Sequence, residues 1–192
     1  YCHFFTCRRV RALEQRPLPL PLCLDDVVIH AKYASKKDGS KFLLYDSSVQ
    51  DQDRFVIFCS PQLVAVLRKT NKWFADGTFK VAPELSFQLY SLHCEVAGFI
   101  LPGAYMLLRR KDCRTYTRAL NALNGECGGG CEPRTVRVDY ELAAISAFRA
   151  VYPRADVRGC FCRLSQCVYR GAQSEVSRNF ILSTPISTWK HG

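Results

Sequence analysis

Residues 73–93, WFADGTFKVAPELSFQLYSLH, decide how the chain is read. Trp73, Phe74 and Ala75 lead to Asp76, and Gly77 to Val81 continue the extended pattern, which predicts a strand carrying one acid. Phe87 to Val96 and Phe99 to Leu108 are built from aromatic, β-branched and aliphatic residues. Only Ala97 and Gly98 separate them, the spacing of a tight antiparallel hairpin. Three sequential strands are expected from this part of the chain.

Working outward toward the C-terminus, Tyr116, Leu120 and Leu123 recur at helical spacing with Arg114 and Arg118 on a neighbouring face, and the glycine-rich stretch from Gly125 to Pro133 ends that helix. Thr135 to Val138 predicts a fourth strand that stops at Asp139. A helix then starts at Glu141, with Leu142, Ile145, Phe148 and Val151 toward the core and Pro153 as its stop. Val157 to Phe161 predicts a fifth strand and Leu164 to Ala172 a third helix. Toward the N-terminus, Phe55 to Cys59 reads as a buried strand. Ser60 caps a helix with Pro61 in its first turn and Leu63, Val64 and Leu67 on one face. Val27 to His30 and Phe42 to Tyr45 predict a small hairpin around the turn Lys36 to Gly39. Residues 1–24, with Arg8, Arg9, Arg11 and Arg16 before Pro17, Pro19 and Pro21, have no period and predict an irregular basic segment. The expected organisation is therefore 1–24, a lead-in over 25–71, a core over 72–173 and a tail over 174–192.

The 192 residues are 48% hydrophobic and 23% charged, which fits one globular domain and excludes disorder and collagen-like repeats. The longest uncharged run, Val96 to Leu108, is broken by Pro102 and falls short of the ~20 apolar residues of a membrane span. Lys and Arg number 27 against 17 Asp and Glu. The net charge of +10 points to a polyanionic partner, nucleic acid ahead of lipid. Eleven cysteines are odd in number and below the density of a disulfide scaffold, so reduced, intracellular thiols are expected. Cys59, Cys94 and Cys160 lie in apolar runs, as small hydrophobes do. Cys2, His3 and Cys7 invite zinc, but no second ligand pair follows at the spacing of a structural site.

The order of three strands, helix, strand, helix, strand, helix predicts an α/β fold with a ribonuclease-H-like mixed sheet: three antiparallel strands plus crossover strands, with flanking helices. If the first and fourth of these strands pair, Asp76 and Asp139 meet although 63 positions apart. Two such carboxylates repel unless a divalent cation neutralises them, and Mg²⁺ or Mn²⁺ prefers oxygen ligands. The alternative is local: Asp76 opens an Asp-Gly turn, and Asp139 caps the next helix.

The stretch 73–93, the segment VDYELAAISAF at 138–148 and the segment YPRADVRGCFCRLSQCVYR at 152–170 resemble, in this order, Mutator-like element (MULE) transposases; DRFVIFCSPQLVAVL at 53–67 is similar to the strand and helix that precede the catalytic domain there. The resemblance implies metal-dependent cleavage of a DNA phosphodiester and strand transfer. Asp76 becomes the first metal-binding catalytic acid and Asp139 the second, with Mg²⁺ or Mn²⁺ between them. Two departures from the family pattern stand out. Its Cys, two residues, His block is here Cys160, Phe161, Cys162, Arg163, and Arg cannot ligate a metal because it stays protonated. Its third carboxylate lies on a helix after an inserted region, whereas Glu175 is the sole acid after Arg163. A chain truncated before the final catalytic helix and inactive by itself is expected. The alternative is a non-catalytic DNA-binding or regulatory remnant. DNA is the expected partner, no membrane is, and homo-oligomerisation is left open. Arg109, Arg110, Lys111, Arg114 and Arg118 form the expected phosphate-contacting cluster.

Overall fold

A computed structural model describes residues 27–78 and 88–159. Among the described residues the elements run α1 (Ala31–Ala34), β1 (Leu43–Asp46), β2 (Phe55–Phe58), α2 (Pro61–Lys69), β3 (Lys72–Thr78), β4 (Gln88–Val96), β5 (Phe99–Leu108), α3 (Cys113–Glu126), β6 (Thr135–Val138), α4 (Leu142–Val151) and β7 (Asp156–Gly159). The strands form one mixed sheet in the order β1-β2-β5-β4-β3-β6-β7. Neighbours from β1 to β3 are antiparallel, while β6 is parallel to β3 and β7 to β6. The expected α/β class, the three antiparallel strands and the pairing of the first strand with the fourth are all present. The lead-in is continuous with the core, because β2 pairs along β5.

Local chemistry explains the main elements. Ala97 and Gly98 both have positive φ, 51° and 85°, as a two-residue hairpin turn matched to strand twist requires. Ser60 Oγ accepts from Leu63 N, and Pro61 occupies the first turn of α2. Asp112 caps α3 by accepting from Thr115 N at 2.7 Å. Helix α2 sits directly on β5: a Cβ at Gly103 would lie 2.8 Å from Leu67 Cδ2, so only glycine permits this approach.

One face of the sheet carries the core. Trp73, Ala75, Tyr90, Leu92, Cys94, Val136 and Val138 are buried beneath Tyr116, Leu120 and Leu123 of α3 and Ala144, Ala147 and Phe148 of α4. Each large side chain so buried contributes about 1.5–3 kcal/mol. Trp73 meets the Tyr152 ring edge-on at 5.3 Å, and its indole N–H donates to Thr70 Oγ1 at 3.1 Å. Cys59 and Cys94 are buried as expected of small hydrophobes. Burial pushes the Cys59 thiol up to about 12.

The structure corrects three expectations. Val27 to His30 is not a strand: Arg54 Nη1 holds the Val27 carbonyl at 2.9 Å, and β1 takes β2 as its partner. The Lys36 to Gly39 turn forms, but it closes only an isolated bridge between Ser35 and Lys41. Helix α4 is rotated from the expected face. Leu142 is 78% exposed, Ile145 and Val151 are half-buried, and the small Ala144 and Ala147 let α4 approach its neighbours. Its polar residues, Ser146 and Arg149, share a side with Leu142, which is why that leucine faces solvent. The expected 1–24 segment, the end of the first strand at Phe79 to Val81, the Cys160, Cys162 and Arg163 block, the Leu164 to Ala172 helix, Glu175 and the 174–192 tail lie outside the described residues.

Candidate active site and nucleic-acid surface

Strands β3 and β6 run in parallel register from Lys72↔Thr135 to Ala75↔Val138. Asp76 follows Ala75 within β3 and Asp139 directly follows Val138, the last residue of β6, so each acid comes one step beyond the last paired position of the two strands. Neither local alternative holds. Asp76 and Gly77 do not turn: they lie inside β3, paired with Ser91 and Tyr90. The N-cap of α4 is Glu141, which makes no side-chain cap bond, and not Asp139. Both residues are half-buried, and Oδ1 of each is shielded from solvent.

The surroundings are polar and partly dry. Ser91 Oγ donates to the Asp76 carbonyl at 3.2 Å. His93, on the same face of β4 as Ser91, is depressed by burial, which the Asp76 charge opposes. Tyr90 is fully buried, and its phenol is pushed well above its ordinary value by burial and then by the charges of Asp139, Glu141 and Asp76. After Asp139 the chain turns with the Tyr140 ring lying over Gly159 of β7, where a Cβ would come within 2.5 Å of the ring.

A buried hydrogen-bond chain that sequence reasoning missed ends beside the aspartates. Gln88 donates through Nε2 to the Tyr116 hydroxyl, and Tyr116 donates to Glu141 Oε2 at 2.8 Å. Gln88 and Tyr116 are 0% and 1% exposed. Burial raises the Glu141 carboxyl, the Tyr116 bond opposes this, Asp139 raises it and Lys111 lowers it. The available signal was Gln88 itself, an amide at a buried position of an apolar strand. Tyr116 was legible only as a core residue.

The two aspartates supply hard oxygen donors on adjacent strands, which suits a divalent cation such as Mg²⁺ or Mn²⁺. Among the described residues no three His, Cys, Asp or Glu side chains gather in metal-holding geometry, and Glu141 is engaged by Tyr116.

The basic cluster is less available than its sequence suggests. Arg110 pairs with Asp53 at 2.5 Å. Arg118 pairs with Asp51 at 2.6 Å and lies over the Phe55 ring, 5.1 Å from its centroid. Arg109 is half-buried at the end of β5, Lys111 acts on Glu141, and Arg114 is exposed on α3. Two of the five cations are thus neutralised within the fold. No described helix is long and apolar enough to cross a membrane.

No curated protein and no solved structure matches the chain. The family model of the MULE transposase domain matches residues 72–167, half of the chain, covering both aspartates and every strand from β3 to β7. The chain therefore belongs to the MULE transposase domain family.

Proposed function

We propose that residues 72–159 form a ribonuclease-H-like transposase core in which Asp76 and Asp139 hold Mg²⁺ or Mn²⁺ for phosphodiester chemistry on DNA, in a nuclear setting. The observation that carries this is the in-register placement of the two acids after Ala75 and Val138, with no turn or cap to account for either. The strand order β5-β4-β3-β6-β7 supports the fold reading. A bound ion would polarise a phosphoryl oxygen and sharpen the nucleophile. The chain's own residues would serve it as follows: Asp76 on β3 and Asp139 just past β6 would supply the carboxylates, the buried Tyr90 and Tyr116 would limit water on the core side, and Tyr116 holds Glu141, two residues after Asp139.

A non-catalytic DNA-binding domain is the second reading. It is favoured by Glu141 being bound to Tyr116 and by the lack of a three-ligand group among the described residues. Melting with and without Mg²⁺ or Mn²⁺, together with relaxation of supercoiled plasmid, separates the two. The first reading expects ion-dependent stabilisation, about 2.7 kcal/mol at a hundredfold excess over Kd, lost in Asp76→Ala and in Asp139→Ala. Among the described residues two carboxylates are one short of a two-metal clamp, so these two acids are not expected to support nicking without a further ligand. Nicking that disappears in Asp76→Ala would establish catalysis and eliminate the second reading. DNA binding with no ion response would eliminate the first.

A further inference from the structure

At the opposite end of the sheet from the aspartates, a cavity of about 790 Å³ opens where β3, β6 and β7 begin. Its lining includes Arg68 from the last turn of α2, Arg134 just before β6 and Arg154 just before β7. Four paired residues, Lys72 to Ala75 on β3, separate this end from the acid pair, a distance along the strand of ~13 Å. The cavity is a separate place on the molecule.

Its charge is unbalanced. Among the described residues Arg68 and Arg134 have no carboxylate at ion-pair distance, unlike Arg110 and Arg118. Arg154 reaches Glu132 only at 3.8 Å, with both side chains largely in solvent, a pair of little strength. The lining thus carries three arginines and one carboxylate, the exposed Glu132. The walls are held by backbone bonds independent of any ligand. Arg134 N donates to the Asn71 carbonyl at 2.8 Å, and Asp156 N donates to the Arg134 carbonyl at 2.8 Å. The glycine loop after α3 is tied back to Asn124, whose carbonyl accepts from Gly129 N and whose Oδ1 accepts from Cys131 N. Gly130 makes room for Arg68, since a Cβ there would sit 3.2 Å from Arg68 Nε. The volume falls in the ~300–1,000 Å³ range of small-ligand sites and exceeds what one phosphate fills.

We propose that this cavity is a binding site for phosphate esters, with Arg68, Arg134 and Arg154 as its donors. Planar guanidinium groups on a fixed backbone match phosphate oxygens in pairs, whereas an aliphatic or cationic ligand would leave these charges uncompensated. The same chemistry recognises the phosphodiester backbone of a duplex passing this end of the sheet and a free polyphosphate. The site stands on the cavity alone and does not depend on the acid pair being catalytic.

The test uses the whole chain in three forms: unchanged, Arg68→Gln with Arg134→Gln, and a charge-matched control, Lys37→Gln with Arg149→Gln. The control residues are exposed and lie away from the cavity lining. All four are surface positions, so equal melting temperatures verify folding. In one arm a labelled 20-base-pair duplex is titrated by anisotropy across a salt series. In the other, sodium pyrophosphate is titrated calorimetrically. The cavity variant should lose up to about 0.9 in log Kd against log salt slope per missing contact, about 1.8 in all, and more than the control does. A change confined to the duplex assigns the site to a nucleic-acid backbone. Loss of pyrophosphate binding, with or without the duplex effect, assigns it to phosphate esters that enter freely. A cavity variant indistinguishable from the control in both arms overturns the proposal.

Discussion

Replacing Tyr116 with Phe removes a single oxygen from the chain of hydrogen bonds that ends beside Asp139. The ring itself is retained, so its contact with Tyr90 at 4.9 Å survives and packing changes little. Two interactions are lost. One is a bond to the Glu141 carboxylate, of a kind worth about 1.5–3 kcal/mol. Glu141 is half-buried and regains part of this from water. The other is the partner of the Gln88 amide, which is 0% exposed and cannot rehydrate; such a stranded donor costs about 1–3 kcal/mol. Both losses share one atom and do not simply add, which leaves a destabilisation of about 2–4 kcal/mol. For a chain of this size that lowers Tm by about 5–15 °C. Urea and thermal unfolding followed by circular dichroism measure it. The double variant with Gln88→Leu adds a sharper check, because the amide stranded in Tyr116→Phe is then gone, so the pair should be less destabilised than the sum of the singles. A Tyr116→Phe protein within about 0.5 kcal/mol of the parent, or strict additivity in the cycle, would refute the reasoning.

Other outcomes follow from single features of the fold. The Arg54 guanidinium, 3% exposed as a residue, grips Asp46 at 2.9 and 2.6 Å and holds its carboxyl below the ordinary 3.8; stability from the pair is present above that value and lost as pH falls through the lowered one. Asp46→Asn should flatten this acid limb in a melting series and lower stability at neutral pH. Ala97, at φ 51°, occupies a position that Asn tolerates better; Ala97→Asn should stabilise by about 0.5–1 kcal/mol in urea, and a loss would contradict the turn geometry. Of the described cysteines, Cys113 is exposed while Cys59 and Cys94 are buried with raised thiols, so native alkylation and peptide mapping should label Cys113 first. Gly103→Ala drives a methyl against Leu67 and should cost about 1–3 kcal/mol by unfolding.

Sequence alone determined the succession of strands and helices from Phe55 onward. Short apolar runs separated by Ala97 and Gly98, a helix with Tyr116, Leu120 and Leu123 in one stripe, and a strand ending at Asp139 are local signals, written in neighbouring residues. Their order was enough to predict that β3 would lie beside β6, and the family resemblance rested on the same residues. Tertiary structure decided whatever depends on partners far apart in the chain. It showed that Asp76 and Gly77 stay extended, because β4 pairs along them. It chose Phe55–Phe58 over Val27 to His30 as the partner of β1, and it turned α4 onto its alanines. Arg110 and Arg118 read as free cations in the sequence and became ion-paired because Asp53 and Asp51, more than fifty residues earlier, fold against them. Gln88, Tyr116 and Glu141, and likewise Arg68, Arg134 and Arg154, have no shared spacing. Electrostatics and hydrogen bonding act through distance in space, and only the fold joins Gln88, Tyr116 and Glu141 in one hydrogen-bond chain and sets Arg68, Arg134 and Arg154 around one cavity.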